Sequence, residues 1–211
     1  MKLFVSNKRE TPRIFQNSVM EFFSRVHWSI PLFVFIPIIV GFLYLAVRQY
    51  DFRSTSILYL LLFGLSFWTF TEYFLHRFVF HFHPNSEWGR RIHWMFHGVH
   101  HDYPSDPLRL VMVPSISLPL AALFYFLFAA VLGSPSAAPF TAGFLTGYLF
   151  YDMTHYAVHH FPIKGRVFGR LRELHMRHHF QDPDNGFGVS SPIWDVIFRT
   201  ELKRSKATVT D

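Results

Sequence analysis

Cysteine is absent from the 211-residue chain. That excludes disulfides, iron–sulfur clusters, thiolate-ligated haem and cysteine-type zinc sites. Any metal must therefore be held by imidazole and oxygen. Charge is also scarce: Asp, Glu, Lys and Arg make up 16% of residues, against about a quarter in soluble globular domains. No internal repeat and no low-complexity tract is present. The N-terminal stretch lacks an apolar core followed by a small-residue cleavage site, so no signal peptide is expected. What the chain has in excess is apolar and imidazole side chains: 50% hydrophobic residues, 27 Phe and 14 His.

The apolar residues fall into runs long enough to cross a bilayer, which takes roughly 20 residues. Four spans are predicted: Trp28 to Val47, a second from near Ser56, Leu110 to Leu132, and Phe140 to Val158. Pro31, Pro37, Pro114 and Pro119 are expected to interrupt or kink them. The expected fold is all-α: four transmembrane helices under a His-rich cytosolic cap. Residues 1–27 mix apolar and basic side chains and read as an interfacial helix, leaving 28–211 as the membrane domain with its cap. Gly133 to Pro139, "GSPSAAP", reads as a tight uncharged turn, and Gln181 to Ser191 as a loop.

Basic residues set the orientation. Of the 20 Lys and Arg, 18 lie in residues 1–27, 76–109 and 160–211, and only 2 in the loops between. Positive charge marks the cytoplasmic side, so both termini and the central segment are placed there. The protein is expected to be a multi-pass integral membrane protein.

Thirteen of the 14 His lie on that same side or at the adjoining helix ends. "HGVHH" (His97, His100, His101) and "HMRHH" (His175, His178, His179) repeat the spacing H-x-x-H-H. Residues at i, i+3 and i+4 share a helix face, so each set is expected to project together, as are His155 and His159. His76 and His81 are five apart, about 140° on an ideal helix. Either the helix ends or bulges there, or the two serve different metals. About ten such His fit two metal ions better than one, since a single zinc takes three or four ligands. His27, His83, His93 and His160 read as ordinary core or interfacial residues. Ligating imidazoles need their second N–H held, and Glu72, Asp102, Asp152 and Glu173 stand near enough in sequence to do so.

Taken in order, "HRFVFH", "HGVHH", "YDMTHYAVH", "HMRHHF" and "GFGVSSPIWDVIF" resemble the fatty acid hydroxylase and sterol desaturase superfamily, most of all its fatty acid 2-hydroxylases. The resemblance spans about residues 56–200. It implies O2-dependent hydroxylation of a long acyl chain, free or sphingolipid-linked, at a dimetal centre of two iron ions, with zinc possible as purified. Carried over by position, the ligands are His76, His81, His97, His100, His101, His155, His159, His175, His178 and His179. Tyr151 and Asp152 fall in the matching "YDMTH" stretch and are expected to line or support the site. Three departures stand out. His160 doubles a position where one His is expected, which leaves the assignment of His159 open. His93 adds a further possible ligand. The H-P-G-G signature of a fused b-type cytochrome domain is missing, so a separate electron-donor protein is expected, and the basic stretch Lys164 to Lys206 offers a place for an acidic one or for anionic lipid. The partners implied are a long-chain lipid substrate and the membrane; no nucleic acid is expected. A carotenoid or sterol substrate is the alternative within the superfamily. A metal transporter fits less well, because its ligands would sit near the bilayer midplane.

Overall fold

The structure, a computed structural model, describes residues 5–6, 8–48 and 54–203. The predicted loop around Arg53 and the basic tail beyond Lys203 lie outside the described residues, as do the first four residues and Asn7. Among the described residues the chain is all-α, as expected, with no strand. The helices are α1 (Ser18–Phe23), α2 (Ile30–Arg48), α3 (Ser54–Phe74), α4 (Glu87–His93), α5 (Val99–Asp102), α6 (Pro114–Leu132), α7 (Ser134–His160), α8 (Phe168–Phe180) and α9 (Ile193–Ile197). Two π-helical turns, Leu75–Phe80 and Trp94–Gly98, extend α3 and α4.

Helices α2, α6 and α3 with its π turn are long and apolar enough to cross a membrane. Large apolar side chains face outward along them, Phe33 being 75% and Val131 82% exposed. Such a belt is untenable in water and natural in lipid. The fourth predicted span, α7, is too polar to qualify as a span on composition. It is the central helix, and most of its residues are buried. It packs against α3 through glycine: a Cβ on Gly143 would lie 1.9 Å from the Leu61 carbonyl oxygen, and one on Gly64 would lie 2.0 Å from that of Phe140. Small residues at such seams let backbones approach closely. Trp68, Phe144, Tyr148 and Phe35 close the core around it.

Boundaries follow local chemistry. Helix α6 starts at Pro114 rather than Leu110, because proline lacks an N–H and suits the first helical turn. Pro31 likewise sits in the first turn of α2, so of the four prolines expected to interrupt the spans Pro37 and Pro119 fall inside their helices. The turn predicted over Gly133 to Pro139 shrinks to Gly133 alone. Its φ of 75° ends α6, and α7 begins at Ser134. Phe161, before Pro162, is extended and ends α7.

The expected interfacial helix over 1–27 is corrected as well. Among the described residues of that stretch only α1 is helical, capped by Asn17, and the others form an irregular strap. The strap is bound to residues 102–109: the Ser6 amide donates to the Asp102 carbonyl (2.7 Å) and the Val26 amide to that of Leu108 (2.8 Å). Buried Arg109 reaches back to Glu21 (2.6 Å) and to the Pro12 carbonyl. The segment behind α4 and α5 is thereby fixed, which matters because α5 carries two of the imidazoles described next.

Candidate metal centre

All ten His carried over as ligands gather at one end of the helices, in two groups. The first holds His76, His81, His97, His101 and His178; the second holds His100, His155, His159, His175 and His179. Within each group, one ring nitrogen per residue lies within 4.8 Å of the others. The groups touch, with the His101 and His179 rings stacked at 4.2 Å.

Helix geometry explains the grouping and corrects one expectation. The two H-x-x-H-H sets do not each face one site. The i and i+4 members, His97 with His101 and His175 with His179, go together, while the i+3 member, His100 or His178, crosses to the other group. Each set thus serves both sites, two rings to one and one to the other. The π turn settles the open question over His76 and His81. Its i→i+5 hydrogen bond, from the His81 amide to the His76 carbonyl (3.1 Å), brings residues five apart onto one face. The helix bulges there, and both rings enter the first group with centroids 5.0 Å apart.

Of the two adjacent histidines at the end of α7, His159 points inward, its Nε2 2.8 Å from that of His175. His160 lies over the Tyr156 ring and outside both groups. His93 bonds to the Phe80 carbonyl, His83 lies beside it, and His27 bonds to Ser29. Tyr151 packs its ring 5.5 Å from His155. Asp152 is buried, faces Tyr148 and the Met112 amide, and leaves one oxygen without a hydrogen-bond partner.

None of the four carboxylates expected to hold imidazole N–H groups does so directly. Asp102 accepts from the Trp94 indole (2.7 Å), Glu173 pairs on the surface with Arg170, and Glu72 accepts from the Val189 and Ser190 amides. Backbone carbonyls do the holding: His178 Nδ1 donates to Asn185 (2.9 Å) and His76 Nδ1 to Phe187. Sequence spacing gave no sign of these, since the His76 contact spans 111 residues.

These bonds test whether the residues fit a metal. A carbonyl only accepts, so Nδ1 of His76 and of His178 carries the proton and each Nε2 carries a lone pair. The His76 Nε2 is buried and has no hydrogen-bond partner, an arrangement that costs free energy unless an acceptor of electron pairs sits there. Other Nε2 pairs are 3.0 to 3.2 Å apart: His97–His101, His178–His81 and His97–His81 in the first group, His155–His100 and His175–His179 in the second. Nitrogens each about 2.1 Å from one ion, at right angles, are about 3 Å apart. Burial keeps the rings neutral: it drives His81 to about 2, His100 to about 3 and His178 to about 4, with neighbouring imidazoles adding to the effect at His81 and His100. Neutral, cysteine-free nitrogen donors suit iron, zinc or copper.

Comparison with known proteins agrees in family and fold. A family model described as fatty acid hydroxylase matches residues 61–200. The dihydroceramide fatty acyl 2-hydroxylase FAH1 of Arabidopsis thaliana is 38% identical, over 94% of this chain and 83% of its own length. The fatty acid 2-hydroxylase of Mus musculus is 34% identical, over 89% of this chain and 56% of its own. A solved structure described as full-length scs7p, with only the hydroxylase domain visible, superposes with a TM-score of 0.80 at 36% identity, covering 90% of this chain and 71% of that one.

Proposed function

The chain belongs to the fatty acid hydroxylase family, and from that premise we propose that it uses O2 to hydroxylate a long-chain fatty acyl group, free or sphingolipid-linked, at the 2-position. The observation that carries the reading is the pair of adjoining five-imidazole groups at one end of a lipid-facing bundle. The proposed ligands are the five His of each group, one iron ion to each. When bound, the irons would supply the redox chemistry by which O2 oxidises a C–H bond to C–OH, an oxidation that no acid–base side chain can carry out. Zinc would occupy the same nitrogens without that chemistry.

The chain's own residues prepare the site. His81, His100 and His178 are neutral at pH 7 and present lone pairs without first losing a proton. The Phe187 and Asn185 carbonyls fix the tautomers of His76 and His178. Buried Phe187 packs its ring 5.8, 5.4 and 5.7 Å from those of His76, His81 and His178 and helps keep water from them. Tyr151, against His155, lines the bundle side, from which an acyl chain would approach; Asp152 supports the same turn of α7 from within.

In this reading α7 is the fourth membrane crossing, residues 1–27 form an interfacial segment, and residues 28–211 form the membrane domain. Helices α3 and α7 both end in imidazoles, so both finish on the same side, and Gly133 lies on the other. The distribution of Lys and Arg supports a cytoplasmic position for the His groups and both termini. The substrate tail would then lie in hydrocarbon with its reacting end at the boundary. Electrons come from a separate donor protein.

The test is to load the purified protein with iron, supply reductant and donor, and look for 2-hydroxylated fatty acid or ceramide by mass spectrometry. Absence of product, with cellular hydroxy-lipid unchanged on deletion, overturns the proposal. A change in carotenoid or sterol profile instead would move it to that substrate class.

A further inference from the structure

The loop between α8 and α9 turns a row of amides toward two buried carboxylates. The Phe187 and Gly188 amides donate to Asp195 (2.9 and 2.8 Å), and the Val189 and Ser190 amides to Glu72 (2.7 and 2.8 Å). The Ser190 hydroxyl adds a third bond to Glu72. Carbonyls of this same loop hold His76 and His178. The connection is covalent: the Phe187 carbonyl and the Gly188 N–H are two ends of one peptide unit. Asp195 grips its N–H, and His76 donates to its oxygen.

We propose that Asp195, with Glu72 as its anchor, is a positioning residue that acts through this peptide on His76 and makes the first imidazole group the tighter of two unequal metal sites. The inference rests on the proposed two-ion reading. A carboxylate pulling on the peptide N–H increases the negative charge on its oxygen. The oxygen then accepts more strongly from His76 Nδ1–H, and Nε2 becomes a better donor of its lone pair. His178 is served less directly. Its acceptor, the Asn185 carbonyl, shares a peptide unit with the Gly186 N–H, which donates to the Thr200 carbonyl (2.8 Å). Thr200 is in turn bound to Asp195 through both its amide and its hydroxyl (2.8 Å each). Gly188 is needed for the approach, since a Cβ there would lie 2.9 Å from Asp195 Oδ2 and 2.0 Å from the Ser191 carbonyl oxygen.

The second group differs in kind. The Nδ1 atoms of His175 and His179 are buried without hydrogen-bond partners. Among the described residues, nothing equivalent holds the Nδ1 of those two rings.

Single-site backgrounds separate the two groups. His155→Ala with His159→Ala leaves the first group intact, and His81→Ala with His101→Ala leaves the second. Each is loaded with Zn(II), and retention is measured against a chromophoric chelator in the full chain in detergent. The first background should hold zinc more tightly. Asp195→Asn, nearly identical in shape, should weaken retention roughly ten- to a hundredfold in the first background and less than about twofold in the second. Glu72→Gln should act in the same direction. If Asp195→Asn fails to accumulate, Thr200→Val, which removes one hydroxyl, should show the same one-sided loss. Equal losses in both backgrounds, or none in either, would overturn the positioning role and leave the two-ion reading standing. Zinc binding in neither background, with Asp195 present, would overturn both.

Discussion

The glycine seam between α3 and α7 makes a quantitative prediction about the distant metal centre. A methyl group at Gly143 would sit 1.9 Å from the Leu61 carbonyl oxygen, whereas ordinary contact begins at 3.4 Å. The obstacle is backbone, so no rotamer relieves it, and the helices must separate by about 1.5 Å, the difference between those two distances. Overpacking of this kind costs about 1–3 kcal/mol. The displacement also has a lever. His155 lies twelve residues beyond Gly143, about 18 Å along α7, and His76 continues α3. Metal ligands tolerate position errors of only about 0.2 Å. Gly143→Ala should therefore lower both thermal stability in detergent and metal retained per chain. Gly41→Ala on α2 is the control: nothing lies within 4 Å of its Cβ. It should be neutral or stabilising by up to about 1 kcal/mol, with metal content unchanged. If Gly143→Ala kept wild-type stability and metal content, the claim that the seam positions the site would be wrong.

Acidification should destabilise the metal-free protein. Burial depresses the folded-state values of His81, His100 and His178, so the unfolded chain binds more protons below its own value near 6.5 and stability falls from there downward. His178, at about 4 when folded, alone accounts for about 3 kcal/mol lost by pH 4; unfolding midpoints that stay flat between pH 7 and 4 would contradict this. His101→Ala should reduce metal from two ions per chain toward one, while His160→Ala should leave the count unchanged, as read by elemental analysis. Arg109→Met takes the buried cation from between Glu21 and Asp106, but Glu21 keeps Arg25 and Asp106 keeps the Thr11 hydroxyl; it should cost about 1–3 kcal/mol and speed proteolysis of the N-terminal strap, and an unchanged cleavage rate would count against the strap's anchoring.

Much of the site could be read from spacing, because helical periodicity is local. The pairs i and i+4 in "HGVHH", "HMRHH" and "HYAVHH" mark shared faces whatever the tertiary fold. Assignment of rings to sites could not be read this way, since His100 and His178 cross over only when α5 and α8 meet. The π turn at Leu75–Phe80 was foreseeable only as one of two resolutions of the five-residue spacing. The carboxylate expectation failed for a related reason: nearness in sequence suggested direct contact, whereas Glu72 acts on a loop 117 and 118 residues away. The lipid-facing helices were plain from composition. The central one was less so, because α7 buries small and polar residues among its neighbours and needs less apolar surface of its own.

The account depends above all on each imidazole group holding its own ion. Iron content with Mössbauer spectroscopy of protein grown on labelled iron tests this most directly. Two irons per chain in nitrogen-rich environments, falling to one when His81 and His101 are both replaced by Ala, are predicted. A single iron in the wild-type chain, or a count indifferent to those replacements, would contradict it.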